Sequence, residues 1–152
     1  MDKKYIILSI LIILIVIGLF YYYNVYCNNN QVKIGSSTIT IPEGFHVVNT
    51  TNTSVELSNG TITLLVKELN QYKDLNDMLT SYNKKYENET VKTVENSVGD
   101  IPYTKTTLTM GSTDYINYWF VKDRMCYSVH TANERVDTLE IVNKIISSTK
   151  RN

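Results

Sequence analysis

Tyr115-Ile116-Asn117-Tyr118-Trp119-Phe120-Val121-Lys122 sends Ile116, Tyr118 and Phe120 to one side of an extended backbone and Tyr115, Trp119 and Val121 to the other. Side chains alternate between the two faces of a strand, and large apolar groups on both faces call for cover on both. The spacing predicts a central strand. Upstream, a Gly111-Ser112-Thr113-Asp114 turn leads back to a strand from Pro102 or Tyr103 to Met110, and Gly99-Asp100 leads back to another over residues 91–98. Downstream, Lys122-Asp123-Arg124 turns the chain into a strand over 125–131. Gly, Asp, Asn and Ser mark each reversal because they tolerate the backbone angles that tight turns need.

Outside this meander the period changes. Leu75, Met78, Leu79, Tyr82 and Tyr86 recur at helical spacing and form one stripe of a helix over 74–86. Asp74 is its expected N-cap, with Asp77 in the first turn. At the carboxyl end, Thr131-Ala132-Asn133-Glu134 has capping-box spacing. It predicts a helix running to about Thr149, with Val136, Leu139, Val142 and Ile146 buried and Ile141 and Ile145 widening the stripe. Before the first helix lie short strands over 38–41, 45–48 and 53–58. Asn59-Gly60 follows as a type I′ hairpin signal, and the returning strand over 61–69 is apolar on both faces and expected to be covered on both. Strands, helix, four strands and helix read as an α+β domain with a mostly antiparallel sheet packed by two helices.

Residues 5–23 contrast with all of this. Tyr-Ile-Ile-Leu-Ser-Ile-Leu-Ile-Ile-Leu-Ile-Val-Ile-Gly-Leu-Phe-Tyr-Tyr-Tyr is broken only by Ser9 and Gly18. As a helix at about 1.5 Å per residue it reaches roughly 28 Å, the thickness of a bilayer's hydrocarbon core. Lys3 and Lys4 precede it and no cation follows until Lys33. Cations stay on the cytoplasmic side, so the amino terminus is expected inside and the rest outside. Tyr21, Tyr22, Tyr23 and Tyr26 suit the outer headgroup region. Cleavage as a signal peptide is the rival reading. Against it stand the length of the apolar run and the lack of a small-x-small site; against lipidation at Cys27 stands Tyr26 directly before it. The expected organisation is a cytoplasmic end at 1–4, a transmembrane helix at 5–23 acting as an uncleaved signal-anchor, a polar stalk at 24–37 and an extracytoplasmic α+β domain at 38–150. The lipid bilayer is the partner of residues 5–23.

The outer part is large enough for one domain with its own core. Without Asp2, Lys3 and Lys4, 13 cationic residues face 14 anionic ones. No basic stripe marks a nucleic-acid interface, and the Asn-, Ile-, Lys- and Thr-rich composition fits AT-rich prokaryotic coding. Cys27 and Cys126 lie on the oxidising side of the expected topology. They read either as a disulfide or as two independent thiols, with Cys126 packed as a small apolar group. Sequons begin at Asn49, Asn52, Asn59 and Asn88, in numbers that the abundance of Asn, Ser and Thr alone produces.

The opening Ile39-Thr40-Ile41-Pro42-Glu43-Gly44-Phe45 resembles the start of PsbP-like domains, a strand followed by Pro-x-Gly-aromatic. The hairpin, the first helix, the strand meander and the closing helix follow in a similar order across residues 36–150. The resemblance implies an antiparallel sheet between helices, an α/β/α sandwich. Members of that group act in photosystem assembly, as transport-factor partners and as bacterial envelope lipoproteins, most without enzymatic activity. This chain has an apolar span where the envelope members carry a lipobox.

Catalytic signatures are missing from the sequence itself. There is no nucleophile elbow, glycine-rich phosphate loop or calcium-loop pattern, and no clustered metal-ligand spacing. The expectation is a non-catalytic, membrane-anchored interaction or binding module of a prokaryotic cell envelope, with no cofactor or metal and with another envelope protein as its partner. The alternative is an envelope enzyme whose site assembles around His130, Glu134, His46 and Glu43, since a histidine beside a carboxylate suits proton transfer. Six tyrosines, Tyr82, Tyr86, Tyr103, Tyr115, Tyr118 and Tyr127, either line a cleft between helix and sheet or sit at the edge of the core with hydroxyls reaching water.

Overall fold

A computed structural model describes residues 3–22 and 30–152. The chain divides into two compact units, residues 1–31 and 32–152. In the first, helix α1 spans Lys3–Tyr22. Its 20 residues correspond to about 30 Å of helix at about 1.5 Å per residue. The large apolar side chains described along it, from Leu11 to Tyr22, are exposed. Among the described residues, no helix is long and apolar enough to cross a membrane; the continuous run of described side chains on α1 starts only at Leu11.

The second unit is built on a seven-stranded antiparallel sheet of strands β3 (His46–Thr50), β4 (Ser54–Ser58), β5 (Thr63–Glu68), β6 (Val91–Val98), β7 (Ile101–Met110), β8 (Thr113–Lys122) and β9 (Met125–Ala132). Their order across the sheet is β3-β4-β5-β9-β8-β7-β6. A second sheet joins β1 (Gln31–Ile34), β2 (Ser37–Thr40) and β10 (Lys150–Arg151). Helix α2 (Leu75–Lys85) follows β5, and α3 (Thr138–Ser148) follows β9. As its alternation predicts, β8 is an interior strand: Tyr118 and Phe120 are fully buried on one face, and Trp119 is 8% exposed on the other.

The two faces carry separate cores. On one, Val55, Leu57, Leu64, Val66, Tyr118, Phe120, Tyr127 and Val129 pack with Val142, Ile145 and Ile146 of α3 and with Ile34 and Ile39 of the small sheet. On the other, Met78 of α2 packs with Trp119 and Cys126, bordered by Leu75, Leu79 and Tyr82. Cys126 is a buried free thiol; Cys27 lies outside the described residues.

Four expectations need correction. Residues 32–37 of the expected stalk belong to the domain, because β1 and β2 join β10 in the small sheet and Ile34 and Ser37 are completely buried; residues 24–29 lie outside the described ones. The Thr131–Glu134 capping box is not used. Strand β9 runs on to Ala132, Asn133 takes a left-handed φ of 54°, and α3 begins at Thr138. Val136 is therefore fully exposed and Leu139 38% exposed, while Val142, Ile145 and Ile146 supply the buried stripe. At the hairpin, only Gly60 has a positive φ, where a type I′ turn needs two. The Asn59 side-chain oxygen instead accepts from the Thr61 and Ile62 amides. Finally, β5 is fully covered on one face and only partly on the other: Leu64, Val66 and Glu68 are buried, whereas Leu65 is half-buried and Thr63 and Lys67 are exposed.

Glu68 carries a carboxylate into that buried face. The turn between β1 and β2 folds over it. The Ser36 amide donates to both carboxylate oxygens at 3.1 Å, the Ser36 hydroxyl donates at 3.2 and 3.3 Å, and the Ser37 hydroxyl donates at 2.6 Å. Because the single Ser37 hydrogen points at Glu68, the Tyr127 hydroxyl donates to Ser37 Oγ at 2.7 Å. Gly35 makes the approach possible: its φ is +56°, and a Cβ there would stand 2.4 Å from Glu68 Oε1.

Candidate functional site

Helix α2 lies across only part of its face of the sheet. Asp74 caps it, accepting from the Asp77 amide at 2.9 Å, while the Asp77 carboxylate accepts from the Lys73 amide at 3.1 Å. Lys84 and Lys85 in the last turn complement the helix dipole. Between the helix and strands β5, β9, β8 and β7 opens a groove of about 500 Å³, within the size range of small-ligand sites. Leu65, Ser128, His130, Asn117 and Trp119 line it from the sheet, and Met78, Ser81, Tyr82, Lys85 and Tyr86 line it from the helix. Leu108, Met110 and Tyr115 close one part, and Tyr72 and Gln71 come from the loop before α2. Lys67 and Lys85 are the charged residues of the lining; it contains no Asp or Glu.

Aromatic rings define the interior. The Tyr82 and Trp119 rings are 5.1 Å apart and tilted, Tyr82 and Tyr86 are 4.9 Å apart, and Tyr115 stacks near-parallel on His130 at 6.3 Å. Lys85 Nζ stands 5.1 Å from the centre of the Tyr86 ring, within cation–π range. Trp119 Nε1 donates to Thr106 Oγ1 at 2.8 Å.

His130 sits on the groove floor. Its Nδ1 lies 3.1 Å from Asn117 Oδ1, and Asn117 Nδ2 donates to the Tyr82 hydroxyl at 3.4 Å. An amide oxygen only accepts, so Nδ1 carries the hydrogen and Nε2 keeps its lone pair. Burial, and then the Lys67 charge, lower the His130 pKa below its ordinary value, so the imidazole is neutral at pH 7. Burial likewise raises the Tyr82 hydroxyl.

The lowered His130 pKa predicts a pH dependence of stability. The folded chain takes up the proton less readily than the unfolded one, so this contribution is complete above the unfolded value of 6.5 and is lost as pH falls through the lower, folded one. Lowering the pH from about 7.5 to about 5.5 is expected to reduce the melting temperature. His130→Asn, which keeps a donor toward Asn117, should make that fall smaller. An identical fall in both proteins would refute the assignment.

The other candidate residues do not join His130. His46 is exposed on β3, at the edge of the sheet. Three strand steps separate it from β9, roughly 14 Å at about 4.8 Å each. Glu134 lies on the opposite face, bonded to the Lys105 ammonium and the Tyr118 hydroxyl; burial, and then Glu134, hold that hydroxyl far above its ordinary pKa. The charge of Glu43 reaches Lys144 on α3, again away from the groove. The tyrosines divide in the same way. Tyr82, Tyr86 and Tyr115 line the groove, whereas Tyr103, Tyr118 and Tyr127 belong to the core under α3. Among the described residues, no group of three or more His, Cys, Asp or Glu is placed to hold a metal ion.

Sequence reasoning missed Lys67, Lys85, Asn117, Ser128 and Tyr72. Alternation alone places Lys67 beside Leu65 and Ser128 beside His130 on one strand face. Their convergence depends on the pairing of Lys67 with Ser128 and of Asn117 with His130.

A seven-stranded antiparallel sheet with a helix on each face, and a cleft beside one of them, defines an α+β sandwich. Within that class the chain is similar to a crystal structure from Bacteroides thetaiotaomicron, with a TM-score of 0.53 and 10% identity over 81% of this chain and 48% of that one. This chain thus spans about half the length of the Bacteroides protein, and at such identity the likeness concerns the fold alone. A solution structure of cyanobacterial PsbP (CyanoP) from Synechocystis also matches, with a TM-score of 0.46 and 12% identity over 77% of this chain and 87% of that one. No protein-family model matches the chain, and no curated protein matches it.

Proposed function

We propose that this protein is a non-catalytic binding module of a prokaryotic cell envelope, held at the membrane by residues 5–23 with its amino terminus in the cytoplasm and its α+β domain outside. The observation that carries the binding role is the open, ring-lined groove beside α2, of about 500 Å³. Rigid rings supply contact area at small entropic cost, and the polar groups on its floor are few and oriented, as in small-ligand and anchor-residue sites. The anchor rests on the apolar run and on the lysines that precede it. The kinship with PsbP-like domains rests on the Ile39–Phe45 opening and on element order. Another envelope protein is the proposed partner, since tethering raises effective concentration and lets weak contacts suffice.

Photo-crosslinking in intact cells tests this reading, with benzoylphenylalanine in place of Lys85 at the groove and, as a control, in place of the exposed Val94 on β6. Adducts specific to the Lys85 position are expected. Recovery of unmodified monomer alone under varied growth conditions would remove the binding role, and a carboxyl-terminal tag resistant to protease in intact spheroplasts would remove the topology.

A further inference from the structure

The groove beside α2 has a charge asymmetry that its ring lining alone does not explain. Lys67 reaches it from β5 and Lys85 from α2, and no carboxylate lines it. Both lysines are exposed, and neither takes part in a salt bridge among the described residues. The nearest acid on this sheet face by register is Glu56, opposite Leu65 on β4 and outside the lining. Asp74 and Asp77 are engaged in capping the start of α2. The field of Lys67 extends to the groove floor, where it acts on His130. Below these two cations lie Trp119, Tyr82, Tyr86 and the stacked Tyr115 and His130 rings.

From this arrangement we infer that the groove takes a small aryl carboxylate, its flat apolar body among the Trp119 and Tyr82 rings and its carboxylate at the rim between Lys67 and Lys85. Ring faces favour a flat, apolar body over a flexible polar one. Two ammonium groups on a lining without carboxylates favour an anionic head over a neutral or cationic one. The dimensions agree, since a cavity of about 500 Å³ holds a one- or two-ring molecule. The inference rests on the reading of the groove as a binding site and assigns it a small-molecule occupant, apart from the protein partner proposed for the tethered domain.

The chain has a single tryptophan, Trp119, so its emission reports on the groove directly. The full-length protein in neutral detergent is titrated with para-tert-butylbenzoate, para-tert-butylbenzylammonium and para-tert-butylbenzyl alcohol, which share one apolar body and differ in charge. The benzoate is expected to shift Trp119 emission saturably and to bind about tenfold more tightly than the ammonium compound, the scale of two partly exposed charge contacts. In the Lys67→Gln/Lys85→Gln double variant, and by about half on a logarithmic scale in Lys67→Gln alone, that preference should disappear. Comparing variants against the same ligand cancels partitioning into detergent. Equal binding of all three probes, unaffected by the substitutions, would overturn the anion assignment while leaving the groove a binding site. Absence of a saturable shift with any of them would overturn the aryl carboxylate as occupant, while crosslinking at Lys85 decides the binding role separately.

Discussion

Glu68→Ala is expected to destabilise the α+β domain by about 3–5 kcal/mol, the scale of losing two hydrogen bonds to a charged group at about 1.5–3 kcal/mol each. Glu68 is 3% exposed, and its carboxylate accepts from the Ser36 amide and from the Ser36 and Ser37 hydroxyls, which hold the β1–β2 turn against the main sheet beside the Tyr127–Ser37 bond. Alanine removes the acceptor of the completely buried Ser37 hydroxyl, leaving it only the Tyr127 hydroxyl, and removes the acceptor for the Ser36 amide. Glu68→Gln should cost less, about 1–2 kcal/mol, because its amide oxygen retains the Ser36 bonds and its amino group can face Ser37 Oγ. Gly35→Ala should approach the alanine result, since its Cβ would displace the same carboxylate and its φ is positive. Urea unfolding of residues 31–152, followed by far-ultraviolet circular dichroism, measures all three. That fragment is expected to be soluble and to unfold cooperatively, because residues 32–152 form a compact unit with their own cores. A Glu68→Ala variant as stable as wild type would mean that water replaces the carboxylate without loss.

Trp119→Ala should cost a similar amount, about 3–5 kcal/mol, the usual range for deleting a large buried aromatic. Trp119 joins α2 to the sheet. It packs on Met78 and Cys126, its ring meets Tyr82, and its Nε1–H bonds to the buried Thr106 hydroxyl. Alanine opens a cavity at the point where α2 is attached and leaves the Thr106 hydroxyl without that donor. The loss should concentrate on one face: amide exchange in α2 should accelerate more than in α3, which packs on the other core. Circular dichroism reads the equilibrium, because the variant lacks the only tryptophan. Equal protection of both helices would show that the two faces unfold as one cooperative unit.

The elements legible in the sequence are those governed by local periodicity. Strand β8 was visible because a two-residue repeat carried large apolar groups on both faces, and both faces are covered. Helix α2 was visible because Leu75, Met78, Leu79 and Tyr82 keep one stripe and Asp74 offers a cap, which the Asp77 amide uses. The start of α3 departs from its capping signal for a related reason. Thr131 to Glu134 has the spacing of a cap, but pairing with β8 keeps Thr131 and Ala132 in β9, and the Lys105 and Tyr118 side chains capture Glu134. A local preference worth about one kcal/mol gave way to a strand ladder and a charged contact.

By itself, then, the sequence determined an antiparallel α+β domain with two helices behind one long apolar segment, because alternation, helical stripes and turn residues act over a few neighbours. Only the tertiary structure decided which of its polar residues meet. Register across β5, β9 and β8 sets Lys67, Ser128, His130, Asn117 and Trp119 on one floor, and the same register sends Glu134 and Tyr118 to the opposite side of the sheet. Seventeen residues from strands, helix and loop line the groove. Their convergence comes from long-range pairing, in which each strand's place depends on partners far away in the chain, so no short window of sequence contains it.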